Sequence, residues 1–157
     1  MSEPAPPLLL DAMLGRLARW LRLMGYDAAY LADTPDLLIV RKALAESRVV
    51  LTRDYALSKQ RGIQALFIES EDINEQIAQV VGTIGPAGDQ AAPRCGNCNE
   101  PLIPVDREAV RDRVPPYVLR TNTEFRVCET CRRVYWPGTH WQSVEQRINT
   151  IEDREQS

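Results

Sequence analysis

Residues 8–25 read LLLDAMLGRLARWLRLMG, a strand followed at once by a helix, and the rest of the fold reads outward from this unit. Leu8, Leu9 and Leu10 make a short apolar strand, and Asp11 ends it. Leu14, Leu17, Leu21 and Met24 then recur at three- and four-residue steps, which predicts a helix over 13–24. Arg16, Arg19 and Arg22 fall off that apolar stripe, and Arg19 and Arg22 read as solvated helix residues. Gly25 suits the stop, because a glycine just past a helix takes the left-handed turn without a Cβ clash.

The alternation continues downstream. Residues 28–31 form a second strand, and Thr34-Pro35 reads as an N-cap and first-turn pair opening a helix to about residue 46. RVVLT, residues 48–52, is the clearest strand, β-branched and apolar. A short helix over 55–61 ends at Gly62, residues 64–68 make a fourth strand, and a helix over 73–81 closes the unit. Strands and helices at this spacing predict βαβ units, hence an α/β unit over 8–81 with helices packed on a parallel sheet. Residues 82–93, GTIGPAGDQAAP, have no periodicity and are rich in Gly, Pro and Ala, so they read as a linker. A second module occupies 94–141, and 142–157 are a terminal helix and tail.

With 157 residues, 44% apolar and 26% charged, the chain has material for one ordinary domain or two small ones and is not of disordered composition. No apolar run approaches the ~20 residues of a membrane span. The N-terminal MSEPAPP lacks the basic start and the ~7–15-residue apolar stretch of a signal peptide. A cytoplasmic protein with reduced cysteines is therefore expected. The net charge of −3 argues against coating nucleic acid by bulk charge, yet residues 94–134 hold eight arginines against six acids. Arginine pairs bidentately with phosphate, so this bias is compatible with an RNA or DNA partner.

All four cysteines fall in two C-x-x-C knuckles, Cys95-Gly-Asn-Cys98 and Cys128-Glu-Thr-Cys131. Two thiolates two residues apart reach one metal from a tight turn, and a second such turn completes a tetrahedron. Gly96 and Asn97 suit the first turn, and Asn99 continues its turn chemistry. The pattern predicts one structural zinc, since four thiolates leave no open coordination position. Redox-active dithiols of the thioredoxin kind are the competing reading, but such a motif follows a strand and opens a helix. The second module has few apolar residues, so its folding should be coupled to metal binding and independent of the first unit.

Three aspartates occupy equivalent places in the α/β unit: Asp11 after the first strand, Asp36 opening the second helix, and Asp54 after the third strand. In an open parallel sheet ligands bind beyond the carboxyl ends of the strands. Carboxylates gathered there repel unless a cation sits among them, and hard oxygen ligands select magnesium or manganese. Asp33, Glu69 and Asp72 are candidates for a fourth acid. Each aspartate is equally a plausible helix N-cap.

The runs LLLDAMLGRLARWLRLMGYDAAYLADTPD, RVVLTRDYALSKQRG, RCGNCNEPL and VCETCRRVYWPGTHW closely resemble the Mut-seven carboxy-terminal RNase family, over about residues 8–148. That family joins a PIN-like nuclease domain to a four-cysteine zinc ribbon. The resemblance implies a three-layer α/β/α domain over 8–81, a zinc ribbon over 94–141, and metal-dependent cleavage of RNA phosphodiester bonds. By position it implies that Asp11, Asp36 and Asp54 bind magnesium or manganese.

Arg16 and Arg53 lie beside the expected crevice and are candidates to hold a substrate phosphate, with Lys59 extending the groove. A salt bridge to a neighbouring aspartate is the alternative for Arg53. The aromatic run 135–141 either stacks RNA bases or, for Trp136 and Trp141, packs the small module, and packing is the preferred reading. The zinc is saturated without His140. The leading function is a metal-dependent ribonuclease whose ribbon assists binding of RNA, tRNA or ribosome-associated RNA included. The alternative is a non-catalytic RNA- or ribosome-binding module with a degenerate site. A phosphoacceptor receiver domain would need a lysine after a late strand, which the chain lacks. No segment identifies an antitoxin or other inhibitor.

Overall fold

Leu8–Leu10 forms strand β1, with all three leucines buried, in the computed structural model, which describes residues 4–88 and 91–136. It pairs in parallel with β2 (Ala28–Tyr30) on one side and β3 (Val49–Thr52) on the other, and β4 (Ala65–Phe67) extends the sheet beyond β3. The order is β2-β1-β3-β4. Successive strand side chains point to opposite faces. Leu8, Leu10, Val49 and Leu51 pack against α1 (Gly15–Leu23) and α4 (Ile73–Ile84), while Leu9 and Val50 pack against α2 (Asp36–Glu46) and α3 (Tyr55–Ser58). Both faces are covered, which is why β1 and β3 are continuous apolar runs rather than alternating ones. The result is the α/β/α sandwich that the resemblance implied.

Local differences from the expected elements have identifiable causes. The helix expected over 13–24 is split into a 3-10 turn, Ala12–Leu14, and α1 from Gly15. The Asp11 carboxylate accepts the Met13 N–H, and the Tyr30 hydroxyl donates to the Ala12 carbonyl at 2.9 Å, so two side chains hold the start of the turn. A Cβ at Gly15 would sit 3.1 Å from that hydroxyl, so glycine is what admits Tyr30 here. At the far end Gly25 takes φ +102, its N–H bonds to Arg22 O and the Tyr26 N–H to Leu21 O. This is a Schellman stop. Pro35 itself is the cap of α2, which starts at Asp36, and the Thr34 hydroxyl donates to Ala32 O instead. α3 is shorter than the expected 55–61, because Lys59 and Gln60 bond three residues back and tighten its end. α4 runs into the expected linker. Gly82 is carried inside the helix because Val81 and Ile84 pack on the core, and the stop is Gly85 at φ +97.

The second module holds an antiparallel sheet, β5 (Ile103–Val105), β6 (Phe125–Val127) and β7 (Val134–Tyr135), in the order β5-β6-β7. Between β5 and β6 lie a 3-10 turn (Arg107–Val110) and α5 (Pro116–Thr121), which the sequence reading did not anticipate. They supply a small core of Val110, Val114, Val118 and Phe125, against which Trp136 packs. Trp141, His140 and the expected C-terminal helix lie outside the described residues. Among the described residues no helix is long and apolar enough to cross a membrane.

The two modules are joined by a polar seam. Arg22, expected in solvent, is buried: its Nε donates to Ala28 O and its Nη1 to Gly96 O, each at 2.8 Å. Asn99, at φ +66, accepts the Ala28 N–H through Oδ1 and donates through Nδ2 to Asp27 at 2.7 Å. Arg48, at the end of α2, reaches the same carboxylate at 2.8 Å and also Leu8 O. An Asn99→Ala substitution leaves the Ala28 N–H without its acceptor, a loss of about 1–3 kcal/mol. Thermal melting should show it, and Asn99→Gly, which keeps the left-handed backbone accessible, should lose as much if the carboxamide is the cause.

The seam should weaken in acid. Burial raises the Asp27 carboxyl, but hydrogen bonds from Arg48 and Asn99 outweigh it and hold it below the ordinary aspartate value. A depressed folded pKa means that its contribution is complete above the unfolded value of about 3.9 and fades as pH falls through the folded one. The gap between melting curves of the native chain and Asn99→Ala should therefore narrow in acid but not close, because the Ala28 N–H still needs the Asn99 carbonyl.

Candidate active site and metal centre

The four cysteines come together from two loops of the second module. Their Sγ atoms all lie within 4.8 Å of one another, and Cys95 Sγ is 3.6 Å from Cys131 Sγ. Four sulfurs at ~2.3 Å from a zinc ion stand about 3.8 Å apart along the edges of the tetrahedron, so the donor set fits that metal. The contact between different knuckles also argues against two separate dithiols.

Cys95 and Cys128 are buried, and the Tyr135 hydroxyl on β7 lies 3.2 Å from Cys95 Sγ. Burial pushes the Cys95 thiol up, but hydrogen bonds from Tyr135 and from the Cys98 and Asn97 N–H groups bring it down to about 7. Its neighbour Cys98 is pushed up to about 12, chiefly by its hydrogen bond with Cys131. Thiols this close to a thiolate resist losing their own protons, and a bound dication removes that resistance. Arg22 adds positive charge from the other module: burial lowers its pKa, and the Cys95 and Cys98 thiolates raise it.

The second candidate site is at the carboxyl edge of the parallel sheet. Leu10 and Leu51 are paired in register, which sets Asp11 beside Thr52. The buried Thr52 hydroxyl donates to Asp11 Oδ2 and accepts the Asp54 N–H at 2.9 Å. One side chain therefore holds the Asp11 carboxylate and the Asp54 backbone. Asp11 Oδ1 accepts the Met13 N–H and Asp54 Oδ1 the Leu57 N–H, so the N-cap reading holds for both. A carboxylate has about four acceptor positions, so capping leaves each one able to bind a cation.

Asp36 is exposed on the first turn of α2, and it does not cap that helix. Among the described residues only the four cysteines bring three or more ligand atoms within 4.8 Å, so Asp11, Asp36 and Asp54 do not gather that closely. Of the candidate fourth acids, Asp72 caps α4 through the Glu75 N–H, Asp33 is exposed at φ +47, and Glu69 is exposed beyond β4.

The basic candidates separate. Arg16 is exposed at the start of α1. Arg53 is committed: Nη1 donates to Ile68 O at 3.1 Å and Nη2 lies 3.6 Å from Glu71, so its acidic neighbour is a glutamate and not the aspartate of the alternative reading. Lys59 places Nζ 5.1 Å from the centroid of the Tyr55 ring.

Thr52 is the residue that sequence reasoning passed over. Its signal was its place two residues before an aspartate, where a threonine hydroxyl can bond the local backbone. Thr52→Val keeps the shape but leaves a buried Asp11 oxygen without its donor. We expect a loss of about 1–3 kcal/mol in a melting experiment, and Thr52→Ser should recover most of it.

The sequence matches the family model described as the Mut7-C RNAse domain over residues 6–148. The chain belongs to that family. No curated protein and no solved structure matches it. The Mut7-C match spans both modules, and with them the sheet-edge acids and the cysteine cluster. Mut7-C membership points to a function of the ribonuclease type.

Proposed function

We propose that this Mut7-C protein is a metal-dependent ribonuclease that cleaves RNA phosphodiester bonds at the carboxyl edge of its parallel sheet. The observation that carries this reading is the Asp11–Thr52–Asp54 unit, in a chain of an RNase family. Hard carboxylate oxygens suit magnesium or manganese, and Asp11, Asp36 and Asp54 would hold the ion. When bound, such an ion activates water and neutralises charge on the scissile phosphate. Thr52 holds Asp11 in one orientation, so the ligand is positioned before the metal arrives. Of Arg16 and Arg53, the exposed Arg16 would meet a backbone phosphate, while Arg53 chiefly braces the ends of β3 and β4. The ribbon, with a structural zinc on Cys95, Cys98, Cys128 and Cys131, presents exposed Arg107, Arg111, Arg113 and Arg120 to RNA. The cytoplasm, where thiols stay reduced, is the compartment that suits it.

The second reading, an RNA- or ribosome-binding module without catalysis, draws on the cap bonds of Asp11 and Asp54 and on the open spacing of the three acids. Incubation of the purified chain with labelled RNA and magnesium or manganese separates the two. The ribonuclease reading expects cleavage that stops on chelation. Retention of RNA without cleavage across varied substrates would move the assignment to the binding module.

A further inference from the structure

Tyr55 follows Asp54 directly and is the first residue of α3, yet its side chain is 62% exposed. The ring is not loose. Phe67, the last residue of β4, meets it edge to face with centroids 5.6 Å apart at 84°. Lys59, just past the end of α3, holds its ammonium over the ring. In the turn after the neighbouring strand β1, Met13 follows Asp11 by two residues and is 68% exposed. Large apolar side chains therefore stand in water close to both acids of the Thr52 unit.

We propose that Tyr55 is a stacking platform for one base of a single-stranded RNA, with Lys59 serving the adjoining phosphate. The proposal rests on the ribonuclease reading and names the substrate class of that site. A base in a duplex has both faces covered by its neighbours, whereas an unpaired base offers one to an aromatic ring. Stacking of this kind contributes about 5- to 150-fold in affinity per base. The exposed ammonium–ring contact contributes only about 2- to 5-fold. A base therefore displaces the ammonium from the ring, and the flexible lysine stem carries the charge to the backbone. Phe67 fixes the ring beforehand, which keeps the ordering cost low.

The test is fluorescence anisotropy with a labelled oligouridylate, the same strand carrying abasic positions, and an RNA duplex of equal length, without added magnesium or manganese. Tyr55→Ala and Tyr55→Leu should weaken binding of the intact single strand by 5- to 150-fold. Tyr55→Phe should bind as the native chain does. Duplex and abasic strand should change less than twofold in every variant, and unchanged melting curves would show that the variants fold. The leucine variant keeps an apolar contact with Phe67 if alanine loosens α3. Native-like binding of the single strand by both variants would overturn the stacking proposal alone, as would equal weakening for duplex and single strand. Failure of the native chain to bind any of the RNAs would also overturn the proposal, while the ribonuclease reading stands or falls on metal-dependent cleavage.

Discussion

Asp11→Asn should lower metal-dependent RNA cleavage by about two to three orders of magnitude in kcat/KM while leaving the chain folded, since losing one preorganised charged contact at a reacting centre costs about that much. The fold tolerates the change because asparagine is as good a helix cap as aspartate. Its carbonyl oxygen can still accept the Met13 N–H, and the Thr52 hydroxyl can turn to accept from the new amide while continuing to accept from the Asp54 N–H. What the substitution removes is the negative charge, and with it the hard ligand for a divalent cation. Labelled-RNA cleavage and thermal melting, measured on the same preparation, decide the matter. Cleavage within tenfold of native would take Asp11 out of the chemistry. Activity that survives both the substitution and chelation would not belong to this chain.

Stripping the cysteine cluster of zinc, or replacing Cys128 by serine, should unfold the β5-β6-β7 module. Folding free energy supplied by a structural zinc is large, about 10–16 kcal/mol in small zinc-dependent peptides, and the small core around Phe125 cannot make that up. From the sequence alone the α/β unit should stay intact, because 82–93 looked like a free tether. The seam changes that expectation. Gly96, inside the first knuckle, is the acceptor for buried Arg22, and Asn99, just after it, covers the Ala28 N–H on the edge strand β2. Loss of the knuckle strands both groups, so the melting temperature of the α/β unit should also fall by several degrees. Amide hydrogen exchange before and after zinc removal reads both effects. Faster exchange at 125–135 with no change at Ala28 would mean that the seam transmits nothing. No change in either region would remove zinc from the folding of the module.

The order of strands and helices was legible because both faces of the sheet are covered, and that leaves Leu8–Leu10 and Val49–Leu51 as unbroken apolar runs between helical periodicities. The cysteine site was equally plain, since C-x-x-C spacing is local geometry, and the helix stop at Gly25 was a local φ requirement. Other features depended on contacts distant in sequence. Gly82 and Gly85 look alike as stop signals, and only the packing of Val81 and Ile84 on the core decides that the helix passes the first and ends at the second. Arg22 sits between apolar positions like Arg19, and its burial follows from the arrival of Gly96 from the other module. The helical insertion between β5 and β6 has too short and weak a pattern to read without the valine cluster that it forms with Phe125.

The sequence by itself determined the α/β class, the four metal ligands and the placing of Asp11 and Asp54 at strand ends, because each depends on spacing along the chain. Only the tertiary structure decided that one threonine hydroxyl bonds the carboxylate of Asp11 and the backbone of Asp54, that Asp11, Asp36 and Asp54 do not all gather within 4.8 Å, and that a knuckle of the metal module closes the edge of the sheet. These depend on which strands lie side by side and on which buried polar groups must find partners across the fold, and neither is written in any local run of residues.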